Sequence, residues 1–147
     1  MSFHPSKRAG ERGSAFIEFV LLFPMLFFLF IGAFDMGFLC YAFIGTQNAA
    51  RVAALYTSST ATASADSAGA CLYALTELTK MPNSSQFLSG CSSAPLQVTA
   101  VSSTGPDGKP ASTVTVSYQT IRLPVVPIPG FTPQFTIRRS VQMRVRT

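Results

Sequence analysis

The side chains that could carry out chemistry are few in this sequence, and they are scattered. His4 is the only histidine and lies near the N-terminus, so the many serines farther along have no histidine to act as a base. Asp66, Glu77 and Asp107 are far apart, and Asp107 belongs to a predicted turn. No CxxC pattern or Cys/His grouping suggests a metal site. We therefore expect no catalytic residue, no metal site, no cofactor and no enzymatic activity.

The three cysteines need separate interpretations. Cys40 lies in an apolar run, where we expect an inert, buried thiol. Cys71 and Cys91 flank 19 residues of a more polar region. If that region is exported, the two could form one disulfide, which would stabilise a small domain by about 3 kcal/mol.

Glu18 is the one acidic residue in a position that demands an explanation. It directly precedes an uncharged apolar run, Phe19–Phe34, and a charge at the edge of such a run is costly in lipid. The run alone spans about 24 Å as a helix, and the residues at either end lengthen it enough to cross a bilayer. A signal peptide has a shorter apolar region with a clean end, whereas here apolar residues continue to Ile44. The sequence predicts a retained membrane helix.

The charge distribution predicts the orientation of this helix. The net charge of the chain is +5, and Lys7, Arg8 and Arg12 all precede the apolar run, with no comparable cluster directly after it. The positive-inside rule then places the N-terminus in the cytoplasm and residues 57–147 outside. The remaining basic residues are too dispersed for a polyanion-binding surface, so we expect no nucleic-acid partner.

The helix is expected to extend beyond the lipid. The stretch GTQNAARVAALY, residues 45–56, is rich in alanine and other helix formers. A helix over residues 14–56 would be a rod of about 65 Å, with a kink predicted at Pro24. Such a rod is longer than a simple membrane anchor requires.

Two motifs in this helix resemble a known family. GSAFIEF, at Gly13–Phe19, resembles the processing site of Flp-type (type IVb) prepilins, in which a Gly is followed by four residues, Glu, and Tyr or Phe. GAFDMGFLCYAFIGTQNAARVAALY resembles the TadE-like family. Asp35 and Gly37 take the acidic and glycine positions of that family, and residues 47–51 take its QNAAR position. The resemblance covers about residues 10–56.

The resemblance implies a minor pilin or pseudopilin that takes part in assembly of a tight-adherence (Flp, type IVb) pilus. A prepilin peptidase would cut between Gly13 and Ser14, and Glu18, followed by Phe19, would become the fifth mature residue. Its carboxylate would meet the N-terminal amine of a neighbouring subunit. The implied partners are the peptidase, other pilin-like subunits, the Tad machinery and the lipid bilayer, without a small-molecule substrate. The implied location is the bacterial inner membrane. The resemblance leaves open whether the protein enters the filament or stays in the basal complex.

Simpler interpretations stand beside these. Glu18 could be an interfacial acid favoured by the dipole of the first helical turn. Asp35 could pair with a basic group on a partner helix, or it could mark the outer end of the lipid-embedded part. The alternative function is an unprocessed single-pass membrane protein of the envelope whose head is a binding module.

The sequence of the C-terminal part predicts a small head that contains both a helix and strands. Residues 57–69 are expected to be a flexible connection and residues 67–81 an amphipathic helix. Residues 96–103, 112–121 and 134–146 alternate as strands, and the turn chemistry of 104–110 predicts a hairpin between the first two. The proline-rich residues 123–133 are expected to cross the sheet as an extended segment. The buried helix face would comprise Ala68, Cys71, Leu72, Leu75, Leu78 and Met81.

The predicted fold class is therefore α+β. A basic cytoplasmic leader (1–13) precedes a long N-terminal transmembrane helix (14–56), which continues into a small exported head (57–147). The head would contain one further helix and an antiparallel β-sheet of about three strands.

Overall fold

The structure, a computed structural model, describes residues 9–87, 90–121 and 134–146, with only the backbone for 9–14. Its main element is α1 (Ala9–Thr57), a helix of 49 residues and about 74 Å. A second helix, α2 (Ser67–Leu78), and a four-stranded sheet complete the head. The strands are β1 (Ser92–Ser93), β2 (Leu96–Thr104), β3 (Pro110–Gln119) and β4 (Thr136–Arg144). The predicted α+β class is confirmed, with the short β1 as an additional strand.

The sheet is antiparallel throughout, in the order β1-β2-β3-β4. The predicted hairpin joins β2 to β3 with Thr104 opposite Pro110. Gly108 adopts a φ of +74°, a left-handed conformation that favours glycine. Asp107 stabilises the turn by accepting a hydrogen bond from the Lys109 backbone N–H. Turn chemistry and strand alternation therefore specify this part of the fold locally.

One face of the sheet packs on the helices. Val114, Val116 and Tyr118 are buried on β3, as their alternation predicts. The Tyr118 hydroxyl donates a hydrogen bond to Asn83 Oδ1, and its ring meets Phe87 edge-on at 6.0 Å. Because water is excluded around the phenol, burial raises the pKa of Tyr118 to about 12. The hydrogen bond with Asn83 satisfies the one polar group of an otherwise apolar core residue.

Alanines make up the part of α1 that enters the core. Five of them are fully buried: Ala42, Ala49, Ala50, Ala53 and Ala54. Their short side chains let α2 and the sheet approach the α1 backbone closely. At Gly45 the side chain of Met81 lies directly against the α1 backbone, and a Cβ there would collide with it.

The buried face of α2 matches the predicted one in part, because Leu78 and Met81 are buried and Cys71 and Leu75 pack against the core. Ala70, Ala74 and Leu78 are fully buried, whereas Leu72 is exposed and so is Ala68. The buried surface extends to Ala70 and Ala74, because their small side chains permit close contact with the alanine-rich α1. The helix also ends at Leu78, before Met81, which is nevertheless buried.

The connection between the two helices is ordered, contrary to the prediction of a flexible segment. It contains a short 3₁₀ turn, Ala63–Ala65, in which Ala63 and Ser64 are buried. The Ser64 carbonyl accepts a hydrogen bond of 2.7 Å from Ser112 Oγ on β3. Buried backbone groups need such partners, and this one ties the connection to the sheet.

Two further expectations concern the ends of elements. The proline-rich residues 123–133 lie outside the described residues, so their predicted path is not addressed. Helix α1 begins at Ala9, so the predicted leader boundary at residue 13 falls within a continuous helix. Pro24 also lies inside α1.

Candidate assembly surface

Helix α1 is divided into two segments by its contacts. We call residues 15–41 the bare segment, because none of its side chains is buried, and residues 42–57 the packed segment. The side chains of Phe16, Leu21 and Phe30 in the bare segment are 69%, 77% and 71% exposed. An apolar surface of this extent requires lipid or other protein around it. The candidate membrane span, Ala15–Thr57, contains a stretch of mean hydropathy 2.4 that the head does not cover.

Aromatic side chains form a ladder along the bare segment. The ring centroids of Phe19 and Phe23 are 5.9 Å apart, and those of Phe23 and Phe27 are 6.1 Å apart. The spacing of four residues places these rings on one helix face. The ladder presents a continuous apolar ridge to its surroundings.

The predicted processing and assembly residues lie at the start of this ridge. Gly13 and Ser14 are within the α1 backbone helix, and the side chains of Glu18 and Phe19 are exposed. Glu18 precedes Ala42, the first fully buried residue of α1, by about 36 Å along the helix. The head therefore does not shield the Glu18 side chain.

Asp35 lies apart from that group, nearer the head. It is about 26 Å along the helix from Glu18, and its side chain is half-buried. It lies on the helix face that continues through Leu39, Ala42 and Thr46, the face on which the head packs. Its Oδ1 atom is shielded and has no hydrogen-bond partner among the described residues. This position is close below the head rather than in the middle of the bare segment.

The bare segment also contains open notches. A Cβ added at Gly32 or Gly37 would meet nothing within 4 Å. Cys40 is likewise exposed, which contradicts the expectation of a buried thiol. These positions are accessible in the isolated chain, since Ala42 is the first residue of α1 that the head covers fully.

The QNAAR stretch separates into two groups of side chains. Ala49 and Ala50 are fully buried under the head. Gln47, Asn48 and Arg51 are exposed on the other side of the helix. The alanines therefore hold the head, and the polar residues remain accessible to solvent or to a partner.

A hydrogen-bonded corner joins the top of α1 to α2. The Tyr56 hydroxyl donates to Asp66 Oδ2 at 2.7 Å, and the Gly69 backbone N–H donates to Asp66 Oδ1 at 3.0 Å. The hydrogen bond from Gly69 has the larger effect and that from Tyr56 adds to it, and together they hold the pKa of the Asp66 carboxyl below its usual range. Tyr56 also stacks on Tyr73 with ring centroids 4.7 Å apart. Sequence reasoning treated Asp66 as a scattered acid, although an Asp before a helical stretch is a recognisable N-cap signal.

A cation lies at the other end of the packed segment. The Cζ atom of Arg139, on β4, is 5.0 Å from the centre of the Phe43 ring, which is a cation–π contact. Its Nε atom is buried and has no hydrogen-bond partner in the described part of the chain. Strand alternation places Arg139 on the apolar face, and the stacking on Phe43 explains how that face accommodates it.

Cys71 and Cys91 are joined in the structure. Their Sγ atoms are 1.96 Å apart and their Cα atoms 5.8 Å apart, which is the geometry of a disulfide. The bond links α2 to the residue just before β1. It therefore connects the helical layer of the head to its sheet.

The described part of the head offers little to a small ligand or metal. Within it there is no group of three or more His, Cys, Asp or Glu side chains that could hold a metal ion. A shallow hollow of about 160 Å³ on the outer sheet face is lined by Gln97, Thr99, Thr115, Ser117 and Arg138. These neutral polar side chains and one arginine do not form a nucleophile–base arrangement.

Comparison with known proteins identifies the helix rather than the head. No curated protein and no solved structure gives a significant match to the chain. Residues 13–55, which include the bare segment and most of the packed one, match the family model described as TadE-like protein. The resemblance of this helix to the TadE-like family is thereby confirmed. This TadE-like segment and the membrane-length apolar helix together indicate a membrane-anchored envelope protein associated with the Tad pilus.

Proposed function

We propose that this protein is a minor pilin or pseudopilin that acts structurally in assembly of a tight-adherence pilus. The observation that carries the proposal is the division of α1. Its bare segment presents about 40 Å of apolar helix, while the head packs mainly on the alanine-rich segment beyond it and only partly covers Leu39 at the upper end of the bare segment. A helix of this kind can reside in lipid first and pack against other helices later without any change in the head. The TadE-like match of the same helix supports this role.

Glu18 supplies the specific contact in this proposal. Cleavage between Gly13 and Ser14 would remove the basic leader and create a charged amine one helical turn before Glu18. A carboxylate and an amine that both lie within lipid are each costly when unpaired, and pairing them offsets part of that cost. Because the pair forms only at one axial offset between neighbouring helices, it also sets the register of the subunits.

The proposal assigns the remaining partners and the topology. Lys7, Arg8 and Arg12 would remain in the cytoplasm until a prepilin peptidase removes them, and the head would lie outside the inner membrane. The disulfide between Cys71 and Cys91 is compatible with an exported head. Other pilin-like subunits would contact the bare segment. The role requires no cofactor, nucleic acid, small-molecule substrate or catalytic group.

The test is the intact mass and N-terminal sequence of the protein purified from its native membranes. A chain that begins at Ser14 is the expected result. Gly13→Val should block processing, because it places a bulky residue next to the scissile bond, and Gly10→Val in the same leader serves as the matched control. A wild-type chain that retains Lys7–Gly13 in cells with an active peptidase would contradict the proposal. That result would favour the unprocessed membrane protein with a binding head.

A further inference from the structure

The end of the head that faces the bare segment is formed by α2 and β4. Helix α2 runs antiparallel to α1, since Asp66 at its start bonds Tyr56 whereas Met81, just after its end, packs on Gly45. Strand β4 runs in the same direction as α1, from Arg139 beside Phe43 to Arg146, whose backbone N–H donates to the Ser58 carbonyl at 2.9 Å. The last turn of α2 and the first residues of β4 therefore lie at the same level, next to residues 43–45.

This level is close to the expected surface of a bilayer that contains α1. A hydrocarbon core of about 30 Å takes up about 20 residues of an upright helix. Counted from Ala15 or from Phe19, those residues end at Phe34 or Phe38. A headgroup layer of roughly 5–7 Å adds about three to five residues and so extends to about residues 37–43. Long, flexible basic side chains at the lower end of the head can therefore reach the headgroups.

The side chains at this end have the composition of a membrane interface. We define the lower rim as Lys80, Phe135, Arg138 and Arg139. Lys80 and Arg138 are exposed, Arg139 is half-buried, and Phe135 is an exposed apolar side chain, 46% accessible. Cations combined with an aromatic ring are typical of residues that contact anionic headgroups and the edge of the hydrocarbon.

The acidic residues of the head are mostly at its other end. Asp66 bonds Tyr56 at the top of α1, and Asp107 lies in the hairpin turn beyond it. Glu77, one turn before Lys80, is the acid of the head nearest the lower rim, and Asp35 lies below the rim on α1. The rim keeps a positive excess over these two carboxylates. The cations of the rim therefore lie at the end of the head that is nearest to the expected lipid phosphates.

We propose that the lower rim binds anionic phospholipid headgroups and so holds the head against the outer surface of the membrane. The occupant is a lipid of the bilayer that contains α1, since the rim adjoins the point where that helix leaves the head. Such binding fixes the rotation of the whole molecule about the α1 axis and its tilt relative to the membrane, both of which a single membrane-spanning helix by itself leaves free. This inference rests on α1 spanning the membrane and is independent of leader processing.

The test uses the full chain in nanodiscs and its own lysines as probes. Lys80 is on the rim, whereas Lys109 is exposed in the hairpin turn at the far end of the head and serves as the internal control. The rate at which an amine reagent modifies each lysine is measured by mass spectrometry, in phosphatidylcholine and in phosphatidylcholine–phosphatidylglycerol discs. We expect Lys80 to react at least about threefold more slowly in the anionic discs, with no change at Lys109. Added salt should reduce this difference.

A matched pair of variants separates headgroup binding from general charge effects. Arg138 and Arg144 both point outward from β4, near its opposite ends, and both are exposed. Arg138→Gln should remove much of the lipid-dependent protection of Lys80, whereas Arg144→Gln should leave it unchanged. Equal Lys80 rates in the two lipids would overturn the proposal. Equal protection in both lipids, as from a contact with a second protein copy, would also overturn it, as would equal effects of the two variants.

Discussion

The two segments of α1 belong to one uninterrupted helix and yet have opposite surfaces. In the bare segment most phenylalanines, leucines and methionines are exposed, with Leu21 at 77%, whereas Phe38 and Leu39 next to the head are partly covered. In the packed segment the alanines are the buried ones, and Ala42, Ala49 and Ala53 are completely inaccessible. Burial in the isolated chain thus follows the opposite order from hydrophobicity. The small side chains of the packed segment allow the head to pack closely there, whereas the bare segment presents large apolar side chains to its surroundings.

The physical reason is the distance between backbones. Helices and sheets that pack on alanine approach closely and gain contacts along their whole length. The large side chains of the bare segment would hold a small head away from the helix axis, but they are well suited to lipid, which has no fixed shape. One helix can therefore serve as a core element at one end and as a membrane or assembly element at the other.

The largest expected difference in stability between the head and the bare segment comes from substitution of their cysteines. Cys71→Ser should lower the free energy of unfolding of the head by about 3 kcal/mol, because the unfolded chain gains freedom when the disulfide is lost. Urea unfolding in detergent, followed by circular dichroism of the strands, measures this. Cys40→Ser in the bare segment is the control and should leave the transition unchanged. An equal loss of stability in the two variants would mean that the bare segment contributes to the folded head.

An alanine in each segment provides the second test. Ala53→Leu should destabilise the head by about 2 kcal/mol, because the site is fully buried and has no space for three more carbon atoms. Ala33→Leu, at an exposed position of the bare segment, should have little effect on the same unfolding transition. If Ala53→Leu were tolerated as well as Ala33→Leu, close packing on α1 would not be what limits the extent of the head.

The third test concerns the polar group inside the head. Tyr118→Phe removes the donor to Asn83 and should lower stability by about 1 kcal/mol at neutral pH. In the wild type the pKa of Tyr118 is raised to about 12, above the ordinary value of about 10 for an unfolded chain. The unfolded state therefore loses its proton first, and stability should fall as the pH rises from about 10 to about 12.

The matched control for this test is Tyr73→Phe, at an exposed position of α2. Unfolding free energies measured between pH 8 and 12 should show the alkaline decrease in wild type and in Tyr73→Phe, and a smaller decrease in Tyr118→Phe. The same alkaline decrease in all three proteins would assign it to groups other than Tyr118.

The smallest expected effect on the head comes from Glu18. Glu18→Gln should change the unfolding free energy of the head by less than about 0.5 kcal/mol, because the site is about 36 Å along α1 from its first fully buried residue. The same variant should reduce co-purification with pilin-like subunits, since the neutral amide cannot pair with an amine. Glu77→Gln, an exposed change in the head, should leave co-purification intact. Normal assembly of Glu18→Gln would remove the proposed role of this carboxylate.

Local patterns were sufficient for the three longer strands, β2, β3 and β4, but not for the short β1. The alternation of Val114, Val116 and Tyr118 and the turn residues before Pro110 correctly predicted the hairpin and its buried face, because both signals lie within a few residues. The apolar run and the two motifs likewise predicted the long helix and its TadE-like resemblance, which the family model confirms over residues 13–55. The pairing of Glu18 and the cleavage after Gly13 stay predictions.

Other features depended on contacts between distant parts of the chain. The helical period of α2 correctly predicted the burial of Leu78, but packing against α1 also buries Ala70 and Ala74 and leaves Leu72 exposed. The supposedly flexible connection is ordered by the bond from Ser112 to the Ser64 carbonyl. Asp66 accepts one hydrogen bond from the nearby Gly69 N–H, which an N-cap pattern predicts, and one from Tyr56 on a different helix, which no local pattern predicts.

The sequence by itself determined that a membrane-length helix comes first and that alternating strands follow, since hydrophobic runs and two-residue periods are properties of neighbouring residues. Only the tertiary structure decided where on α1 the head begins. Alanine favours a helix in lipid, in water and in a protein core alike, so the residues from Ala42 onward carry no local signal of burial. Their environment is set by the sheet and α2, which pack against them from positions far along the chain.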